Sequence, residues 1–397
     1  MTIFLQALLG GAALLLTVPA AVLLAEVLLA LTSRRAEIPA DGVRPRVAVL
    51  MPAHNEVVVI ARAIHSVLAQ LSPTDRLLVV ADNCSDATAA VALTAGAQVI
   101  ERTDPTRRGK GYALDFGVQH LRADAPPVVI VIDADCEAAA GSLDRLARLC
   151  AQTGRPVQAL YLMQAASDAG LTARLAQFAW IVKNQVRPLG MRSLGLPCHL
   201  FGTGMAFPWP ALAAATLASG HIVEDLKLGI DLARAGSPAL FCPEALVTSS
   251  FPTSAAGLTA QRTRWEHGHL GVILSEAPRL LVDSISRLRP HLLGLALDLS
   301  VPPLALLALQ LAVVWLGCVV LYHFTRAAIP LAISSTALAM AGVAVFLAWA
   351  RYGRRVVPFS ALALAGVYVV LKLPVYAKFL IARQLDWVRS KRDGDQS

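Results

Sequence analysis

A short apolar run that ends in two carboxylates constrains the fold of this chain more than any other feature. Residues 128–132 are five consecutive β-branched side chains, and Asp133 and Asp135 follow them. Such a run is typical of a strand that is buried on both faces, inside a parallel sheet covered by helices. The sequence therefore predicts an α/β domain with two acidic groups at the carboxyl end of a buried strand.

The spacing of the two carboxylates indicates what they could bind. Alternation along a strand would point Asp133 and Asp135 the same way, toward the edge where open α/β sheets bind ligands. Alone they would repel a diphosphate, whereas a divalent cation bound to them would attract one. Hard oxygen ligands of this kind suit Mg²⁺ or Mn²⁺. The alternative at this point is plain solvation of a strand end.

Polar groups also follow the other predicted strands of residues 44–275, where strands alternate with helices. They are Pro52, Ala53, Asn55 and Glu56 after the first strand, Asp82 after the second, and Lys110, between two glycines, after the third. We expect them to meet Asp133 and Asp135 at one sheet edge. There Glu56 and Asp82 can hold a base and a ribose, and Lys110 can neutralise phosphate. Taken singly, each group also fits an ordinary turn, a helix cap or a basic loop.

Three further groups lie in the second half of this region. They are Gly202, Thr203 and Gly204; Glu224 and Asp225; and Gln261, Arg262, Arg264 and Trp265. The first offers backbone amides where a ligand can come close. The second suits either the positive end of a helix or proton removal. The third combines a grip on phosphate with an aromatic platform for a sugar, unless it is only a packing helix. No Walker loop and no Gly-x-Gly-x-x-Gly follows the first strand, which disfavours an NTPase or a dinucleotide reductase.

Composition predicts that part of the chain lies in a membrane. Of its 397 residues, 56% are hydrophobic, above the roughly 45 to 50% of soluble domains. Many of the basic residues behind the net charge of +8 cluster beside apolar segments, at 34–46, 351–355 and 389–392. That distribution is typical of positive-inside loops and not of a nucleic-acid groove. The six cysteines lack metal-ligand or disulfide spacing, so we expect them to be reduced in the cytosol.

The apolar segments suggest a domain plan. Residues 3–31 are long enough to cross a bilayer and lack the basic start of a signal peptide. We expect an anchor at 1–33 with Met1 outside, a cytoplasmic domain at 44–275, an interfacial helix at 279–291, a membrane region at 292–382 and a basic cytoplasmic tail at 383–397.

The number of crossings in the membrane region is left open by the sequence. Apolar segments lie at 301–324, 329–350 and 356–371. Either the last of them is re-entrant, or residues 292–324 contain an additional short span. Three charged residues, Glu26, Asp298 and Lys372, fall in or beside apolar segments, where they can line an acceptor path or simply pair or snorkel.

In their order along the chain, these motifs resemble the membrane-bound glycosyltransferases of family 2, which include the cellulose, chitin and hyaluronan synthases. The resemblance covers residues 44–275 and rests most on Asp133-Ala134-Asp135 and on Gln261-x-x-Arg264-Trp265. It implies a GT-A fold followed by membrane helices. One departure is Val223, where many relatives have Thr before the Glu-Asp pair.

The resemblance also implies roles for the site residues. Pro52, Ala53, Asn55, Glu56, Asp82, Lys110 and Asp133 would bind the nucleotide diphosphate, Asp135 the Mg²⁺ or Mn²⁺, and Gly202, Thr203, Gly204, Gln261, Arg262, Arg264 and Trp265 the diphosphate and acceptor. Asp225 would be the general base, beside Glu224.

The resemblance implies an inverting transfer of a hexose or N-acetylhexosamine from a nucleotide diphosphate sugar to a lipid-linked or growing glycan acceptor. We expect the donor to be a UDP-sugar. We expect the reaction at the cytoplasmic face of a bacterial inner membrane, in polysaccharide or glycolipid synthesis, with membrane lipids as partners and no nucleic acid. The alternatives are a ceramide-type transferase that adds a single sugar, and a catalytically silent membrane assembly subunit. The small number of apolar segments argues against a long polymer channel.

Overall fold

A computed structural model of the chain describes residues 2–33, 43–166, 168–252 and 255–381. It divides into two compact units. Of the described residues, the sheet unit comprises 43–166, 197–252 and 255–269, and the helical unit comprises 2–33, 168–196 and 270–381. Residues 167–196, which the sequence plan assigns to the α/β domain, therefore belong to the helical unit. The predicted basic tail at 383–397 lies outside the described residues.

The sheet unit is built on one sheet with the strand order β3-β2-β1-β4-β7-β6-β8-β5. Its strands are β1 (Val47–Ala53), β2 (Arg76–Asp82), β3 (Gln98–Arg102), β4 (Val128–Val131), β5 (Glu137–Ala138), β6 (Val157–Gln164), β7 (Met205–Pro208) and β8 (Leu240–Ser250). All residues of β1 and β4 are buried, as the apolar run at 128–132 predicts.

Helices connect and cover these strands. They are α2 (Ile60–Leu68), α3 (Thr88–Thr94), α4 (Lys110–Leu121), α5 (Ser142–Thr153), α8 (Trp209–Ala213) and α9 (Glu224–Arg234). The long helix α10 (Ala255–Ser286) starts in the sheet unit and continues into the helical unit after residue 269. The predicted alternation of strands and helices is confirmed. The core lies where α4 packs on the sheet: a Cβ on Gly117 would come within 2.4 Å of a Leu50 methyl group and 3.0 Å of one on Val80. Only a glycine allows this close approach.

The sheet is mixed, which corrects the expectation of a largely parallel one. Strands β1 to β4 are parallel, as are β6 and β8, but β7 runs antiparallel to β4 and β6, and β5 antiparallel to β8. Between β6 and β7 the chain passes through helices that belong to the helical unit. No helical crossover on the sheet therefore forces β7 to be parallel.

The helical unit contains α1 (Thr2–Thr32), α6 (Leu171–Ile181), α7 (Arg187–Ser193), α11 (Pro290–Ser300), α12 (Leu304–Thr325), α13 (Ala328–Ala348), α14 (Phe359–Ala363), α15 (Ala365–Leu371) and α16 (Leu373–Ile381). Five-residue π-helical segments join α6 to α7 and extend α13 to Gly353. The predicted helix at 279–291 is not a separate element, because α10 continues to Ser286 and Pro290 starts α11.

Three helices of the described chain are long and apolar enough to cross a membrane. They are Thr2–Thr32, Leu304–Thr325 and Ala328–Gly353. The apolar segment at 356–371 is broken into short helices, too short to span by themselves.

A buried ionic cluster joins three helices of the helical unit. The Arg187 guanidinium on α7 donates to Glu26 Oε2 on α1 at 3.0 Å and to Asp298 Oδ1 on α11 at 2.7 Å. A Cβ on Gly190, one turn further along α7, would come within 2.1 Å of the Glu26 carbonyl oxygen. Both acidic residues, Glu26 and Asp298, are thus paired with Arg187. The sequence alone left open whether they pair or line a path for the acceptor.

Candidate active site

The antiparallel pairing of β7 with β4 places two predicted motifs side by side. Val131 pairs with Met205, and the Gly204 amide donates to the Val131 carbonyl at 2.9 Å. Residues just after β4 therefore lie next to residues just before β7. The Asp133 amide accordingly donates to the Thr203 hydroxyl at 3.0 Å.

Asp133 and Asp135 converge for a different reason than the one predicted. Strand β4 ends at Val131, and both aspartates follow it in a turn. Strand alternation therefore does not apply to them. Their carboxylate oxygens nevertheless lie within 4.8 Å of each other and of the Cys136 thiol, close enough to share one ion. Paired hard oxygens fit Mg²⁺ or Mn²⁺, as the sequence predicts.

The turn at residues 202–204 is held by a buried glutamine that the sequence reading missed. Gln158 on β6 is fully buried; its amide nitrogen donates to the Thr203 carbonyl at 2.9 Å, and its oxygen accepts from the Phe201 amide at 2.8 Å. Gly202 and Gly204 both have positive φ, at 92° and 66°, which favours glycine. The signal in the sequence was one polar residue inside the apolar run of β6.

Lys110 lies at the centre of the cluster, at the first residue of α4. Its ammonium group forms an ion pair with Asp133, donates to the Gly202 carbonyl at 2.6 Å and lies 4.0 Å from Glu224 Oε1. Burial alone would lower the pKa of Lys110, but the charges of Asp133 and Glu224 raise it above its ordinary value. The cation therefore stays charged at every physiological pH.

The neighbouring glycine lets the Lys110 loop come close to residues 216–221. A Cβ on Gly111 would sit 2.5 Å from the Leu217 carbonyl oxygen and 2.7 Å from that of Ser219. This segment leads through Val223 into α9. The position of Lys110 is thus coupled through backbone packing to the start of α9.

Glu224 and Asp225 form the first turn of α9, where the helix dipole favours negative charge. Burial, reinforced by the charge of Asp225, raises the pKa of Glu224 to about 8. A Cβ on Gly202 would lie 3.3 Å from Asp225 Oδ2 and 3.7 Å from Lys110 Nζ. The two carboxyl groups can therefore play different chemical roles. Glu224 holds a proton at neutral pH, whereas Asp225 lies beside it and faces the same turn as Lys110.

A cavity of about 180 Å³ opens beside this pair. Its wall includes Glu224, Asp225, His221, Ser219, Lys227 and Met205. The volume is that of a few water molecules or part of a sugar ring. Both carboxylates are therefore next to space that a small polar group can enter.

The residues predicted to hold the nucleotide form a second cluster, after β1 and β2. Asn55 Oδ1 accepts from the Ser85 amide at 2.7 Å, and the Glu56 amide donates to the Thr88 hydroxyl at 2.7 Å. Asn55 has φ of 56°, a left-handed conformation that asparagine tolerates. These bonds join the two strand ends.

Asp82 is held by an arginine that the sequence reading also missed. Arg102, the last residue of β3, donates to Asp82 Oδ1 at 2.6 Å and to Asp104 Oδ2 at 3.1 Å, and its guanidinium lies over the Tyr112 ring. Its register opposite Asp82 is set by β2–β3 pairing. A short strand that ends in Arg next to a strand that ends in Asp was the available signal.

Pro52 and Ala53 lie inside β1 and not beyond its end. They pair with Val80 and Ala81 of β2, which extends the strand past its predicted end at residue 51. Their contribution to a ligand site is limited to the rim that their backbone forms, because Ala53 is buried.

The predicted helix with Gln261, Arg264 and Trp265 is confirmed as part of α10. Gln261 is buried, whereas Arg264 and Trp265 are half-buried; the side chain of Arg262 lies outside the described residues. A Cβ on Gly268, seven residues after Gln261, would come within 2.8 Å of Val223 Cγ1. Helical periodicity places Gln261, Arg264 and Trp265 on this same side of α10. That side packs against the residue that precedes Glu224.

Comparisons with known proteins agree on one family. The family profile described as "Glycosyltransferase like family 2" matches residues 45–268. A probable glycosyltransferase of Bacillus subtilis, YdaM, is 26% identical over 258 residues, which cover 58% of this chain and 56% of that protein. An uncharacterized glycosyltransferase of Mycobacterium tuberculosis is 40% identical over 100 residues, 25% of this chain and 41% of that protein. The chain thus spans about half the length of the curated relatives that it matches.

Among solved structures, the chain is similar to the mannosyltransferase PcManGT from Pyrobaculum calidifontis, determined in complex with GDP-Man and Mn²⁺. The TM-score is 0.55 at 17% identity, over 96% of this chain and 99% of that chain. This likeness is one of fold and confirms the expected GT-A architecture. The family profile covers more than half of the chain and spans every cluster described above from Asn55 to Trp265. The chain therefore belongs to the family 2 glycosyltransferases.

Proposed function

We propose that this chain transfers a sugar from a nucleotide diphosphate sugar to a lipid-linked or growing glycan acceptor, with inversion and with a divalent cation. The observation that carries the proposal is the meeting of Lys110, Asp133, Asp135, Glu224 and Asp225 around the turn at Gly202. One cation and four carboxyl groups in such a small space are costly for stability. Their arrangement has a physical purpose if a charged diphosphate and a divalent cation bind there.

The residues divide the reaction between them. Asp225 accepts the proton of the acceptor hydroxyl. At the same time the oxygen of that hydroxyl forms a bond to the anomeric carbon, and the bond between this carbon and the diphosphate oxygen breaks. Lys110 stabilises the negative charge on the departing diphosphate. Asp135, with Asp133 beside it, would hold Mg²⁺ or Mn²⁺, which when bound supplies further positive charge to the diphosphate. Displacement from the face opposite the leaving group inverts the anomeric configuration.

The nucleotide is proposed to bind over the ends of β1 and β2. Asn55, Glu56 and Asp82 lie there, bonded to Ser85, Thr88 and Arg102, so the rim is preorganised before a ligand arrives. Gln261, Arg264 and Trp265, on the side of α10 that packs on Val223, are proposed to contact the diphosphate and the acceptor. Gly202 and Thr203 are proposed to lie between the nucleotide site and the acceptor site.

The helical unit favours a lipid-linked acceptor and the transfer of only a few sugars to each acceptor molecule. The described chain has three candidate spans, a small number for a long polymer channel. We propose a multi-pass protein of the cytoplasmic membrane with the sheet unit on the cytoplasmic side, because basic residues follow α1 and cluster again at residues 351–355. Transfer of a single sugar to a glycolipid acceptor is the second candidate, supported by the same small number of spans.

The test uses the purified full chain in detergent with Mn²⁺ and a panel of UDP- and GDP-sugars, including GDP-mannose, and measures release of nucleoside diphosphate with and without a membrane lipid extract. We expect release from one or a few donors, increased by the lipid extract. A matched Asp225→Asn protein controls for contaminating hydrolases. No release above that control from any donor would contradict the proposal.

A further inference from the structure

Three arginines lie at the end of the spanning segment Ala328–Gly353 and in the turn that follows it. Arg351 lies in the π-helical end of this segment and Arg354 and Arg355 lie in the turn that follows it, and all three side chains are exposed. Among residues 2–33, 43–166, 168–252 and 255–381, none of the three guanidinium groups forms an ion pair with a carboxylate. Three positive charges therefore face solvent together.

Aromatic side chains hold this turn in a fixed shape. The Trp349 indole nitrogen donates to the Val357 carbonyl at 2.7 Å, which folds the chain back over the ring. The Trp349 ring packs against Phe359 at a centroid distance of 5.3 Å, and the Arg354 guanidinium lies 5.6 Å from its centroid. The arginines thus project from a rigid turn and not from a loose loop.

Two contacts place the turn at the end of the apolar layer. The Tyr352 hydroxyl donates to the carbonyl of Ala30 at 2.9 Å, two residues before α1 ends, so both spans end at the same level. The Arg351 guanidinium lies 5.3 Å from the Tyr352 ring centroid. Tryptophan and tyrosine side chains next to arginines are typical of the depth at which lipid headgroups lie.

A neighbouring helix packs against this turn. A Cβ on Gly353 would come within 2.7 Å of the Phe178 ring on α6, so α6 packs directly on this turn. Two residues after Phe178 comes Trp180, and Lys183 Nζ lies 5.6 Å from its ring centroid. The same helix therefore carries a second pair of an aromatic and a basic side chain.

We propose that Arg351, Arg354 and Arg355 form a binding site for the phosphate headgroup of an anionic phospholipid, flanked by Trp349 and Tyr352. Guanidinium groups match phosphate oxygens in a two-pronged geometry, and the rigid turn lowers the entropy lost on binding. Attraction to an anionic surface amounts to roughly a fivefold gain in affinity per arginine. If the arginines served only to orient the helix in the membrane, the identity of the headgroup would not matter.

The test measures the melting temperature of the full chain, purified in a neutral detergent, against increasing dihexanoylphosphatidylglycerol, dihexanoylphosphatidylcholine or inorganic phosphate. We expect a saturable rise with the phosphatidylglycerol alone. Replacing all three arginines by Gln should raise the half-saturating concentration by at least tenfold. Replacing them by Lys should preserve only part of the effect, because lysine keeps the charge but not the two-pronged grip on phosphate. If the triple Gln protein does not fold, Arg355→Gln alone should raise the half-saturating concentration by roughly fivefold.

The matched control removes the same charge elsewhere, through Arg62→Gln, Arg122→Gln and Arg145→Gln in the sheet unit, and should keep the wild-type half-saturation. Equal effects of the two lipids, or an unchanged half-saturation in the Gln variants, would overturn the proposal. An equal rise of the half-saturating concentration in the control protein would show that only the net charge matters, which would also overturn the proposal. A rise produced by inorganic phosphate at the same concentrations would show a phosphate site and not a lipid site, which also overturns it.

Discussion

Two adjacent carboxyl groups, Glu224 and Asp225, have different surroundings. Glu224 lies 4.0 Å from Lys110 and is buried enough that its pKa rises to about 8. Asp225 approaches the open turn at Gly202. A neutral acid cannot accept a proton, which favours Asp225 as the proposed general base at neutral pH.

Exchanging each carboxyl group for its amide tests this assignment. Asp225→Asn should lower the transfer rate roughly a hundred-fold or more, because the amide cannot accept a proton, and should leave nucleotide affinity nearly unchanged. Glu224→Gln should have a much smaller effect at pH 7, because Gln resembles the protonated acid. Steady-state kinetics and nucleotide binding on both proteins give the comparison; a larger loss in Glu224→Gln would move the base to Glu224.

The same pKa shift predicts how stability depends on pH. The folded protein holds the Glu224 proton up to about pH 8, whereas the unfolded chain releases it near pH 4.5. The stabilisation from this group is complete below pH 4.5 and is lost as pH rises toward 8, since the unfolded state binds fewer protons in that window. In metal-free protein, the melting temperature of the wild type should therefore fall more between pH 5 and 8 than that of Glu224→Gln. Parallel curves for the two proteins would contradict the shift.

At the residue scale, the residues of the candidate site were easier to predict than the residues that hold them in place. Asp133, Asp135, Lys110 and Glu224 form recognisable motifs at strand and helix ends. Gln158 and Arg102, which hold Thr203 and Asp82, belong to no motif. Their roles depend on which strands are neighbours, and that is decided by pairing across the sheet and not by local sequence.

At the scale of elements, α10 links the motif at Gln261 to the start of α9. Gly268 is small where α10 meets Val223, so the two elements come close on the side that carries Arg264 and Trp265. The departure from the common Thr at position 223 is compatible with this contact, because the valine side chain fills it. The site interpretation and the packing interpretation of Trp265 make different predictions.

Under the site interpretation, Trp265→Ala should impair transfer to the acceptor much more than nucleotide binding, because an aromatic platform under a sugar contributes about 1 kcal/mol beyond its buried area. Arg264→Ala should weaken both, since it loses a grip on phosphate. Melting temperature, donor affinity and transfer rate are measured on each protein. A destabilised Trp265→Ala with normal activity per folded molecule would support packing alone.

The ionic cluster of α1, α7 and α11 is the corresponding feature of the helical unit. Arg187→Met should destabilise the detergent-solubilised protein by about 3 to 5 kcal/mol, because Glu26 and Asp298 would be left buried without a counter-charge. Adding Glu26→Gln and Asp298→Asn to it should recover much of the loss. Thermal unfolding of the single and triple variants tests this, and equal stability of the wild type and Arg187→Met would show that the cluster contributes little.

At the scale of the whole molecule, the division into an α/β part and membrane helices followed from composition and periodicity. The sequence did not assign residues 167–196 to the helical unit, because α6 and α7 have the same periodicity as helices that cover a sheet. The sequence also did not predict that β7 runs antiparallel to its neighbours in the sheet, because this direction depends on the path of the chain between β6 and β7. The shape of the site depends on that direction, since it brings Thr203 to Asp133.

The most direct test of the account is the metal dependence of transfer in wild type, Asp135→Ala and Glu137→Ala. Glu137 is exposed and only two residues from Asp135, so its removal matches the loss of charge but not of the proposed metal ligand. We predict that wild type and Glu137→Ala transfer sugar with Mn²⁺ and stop in excess chelator, whereas Asp135→Ala folds but is inactive with or without metal. Full activity of Asp135→Ala, or of the wild type in chelator, would contradict the account.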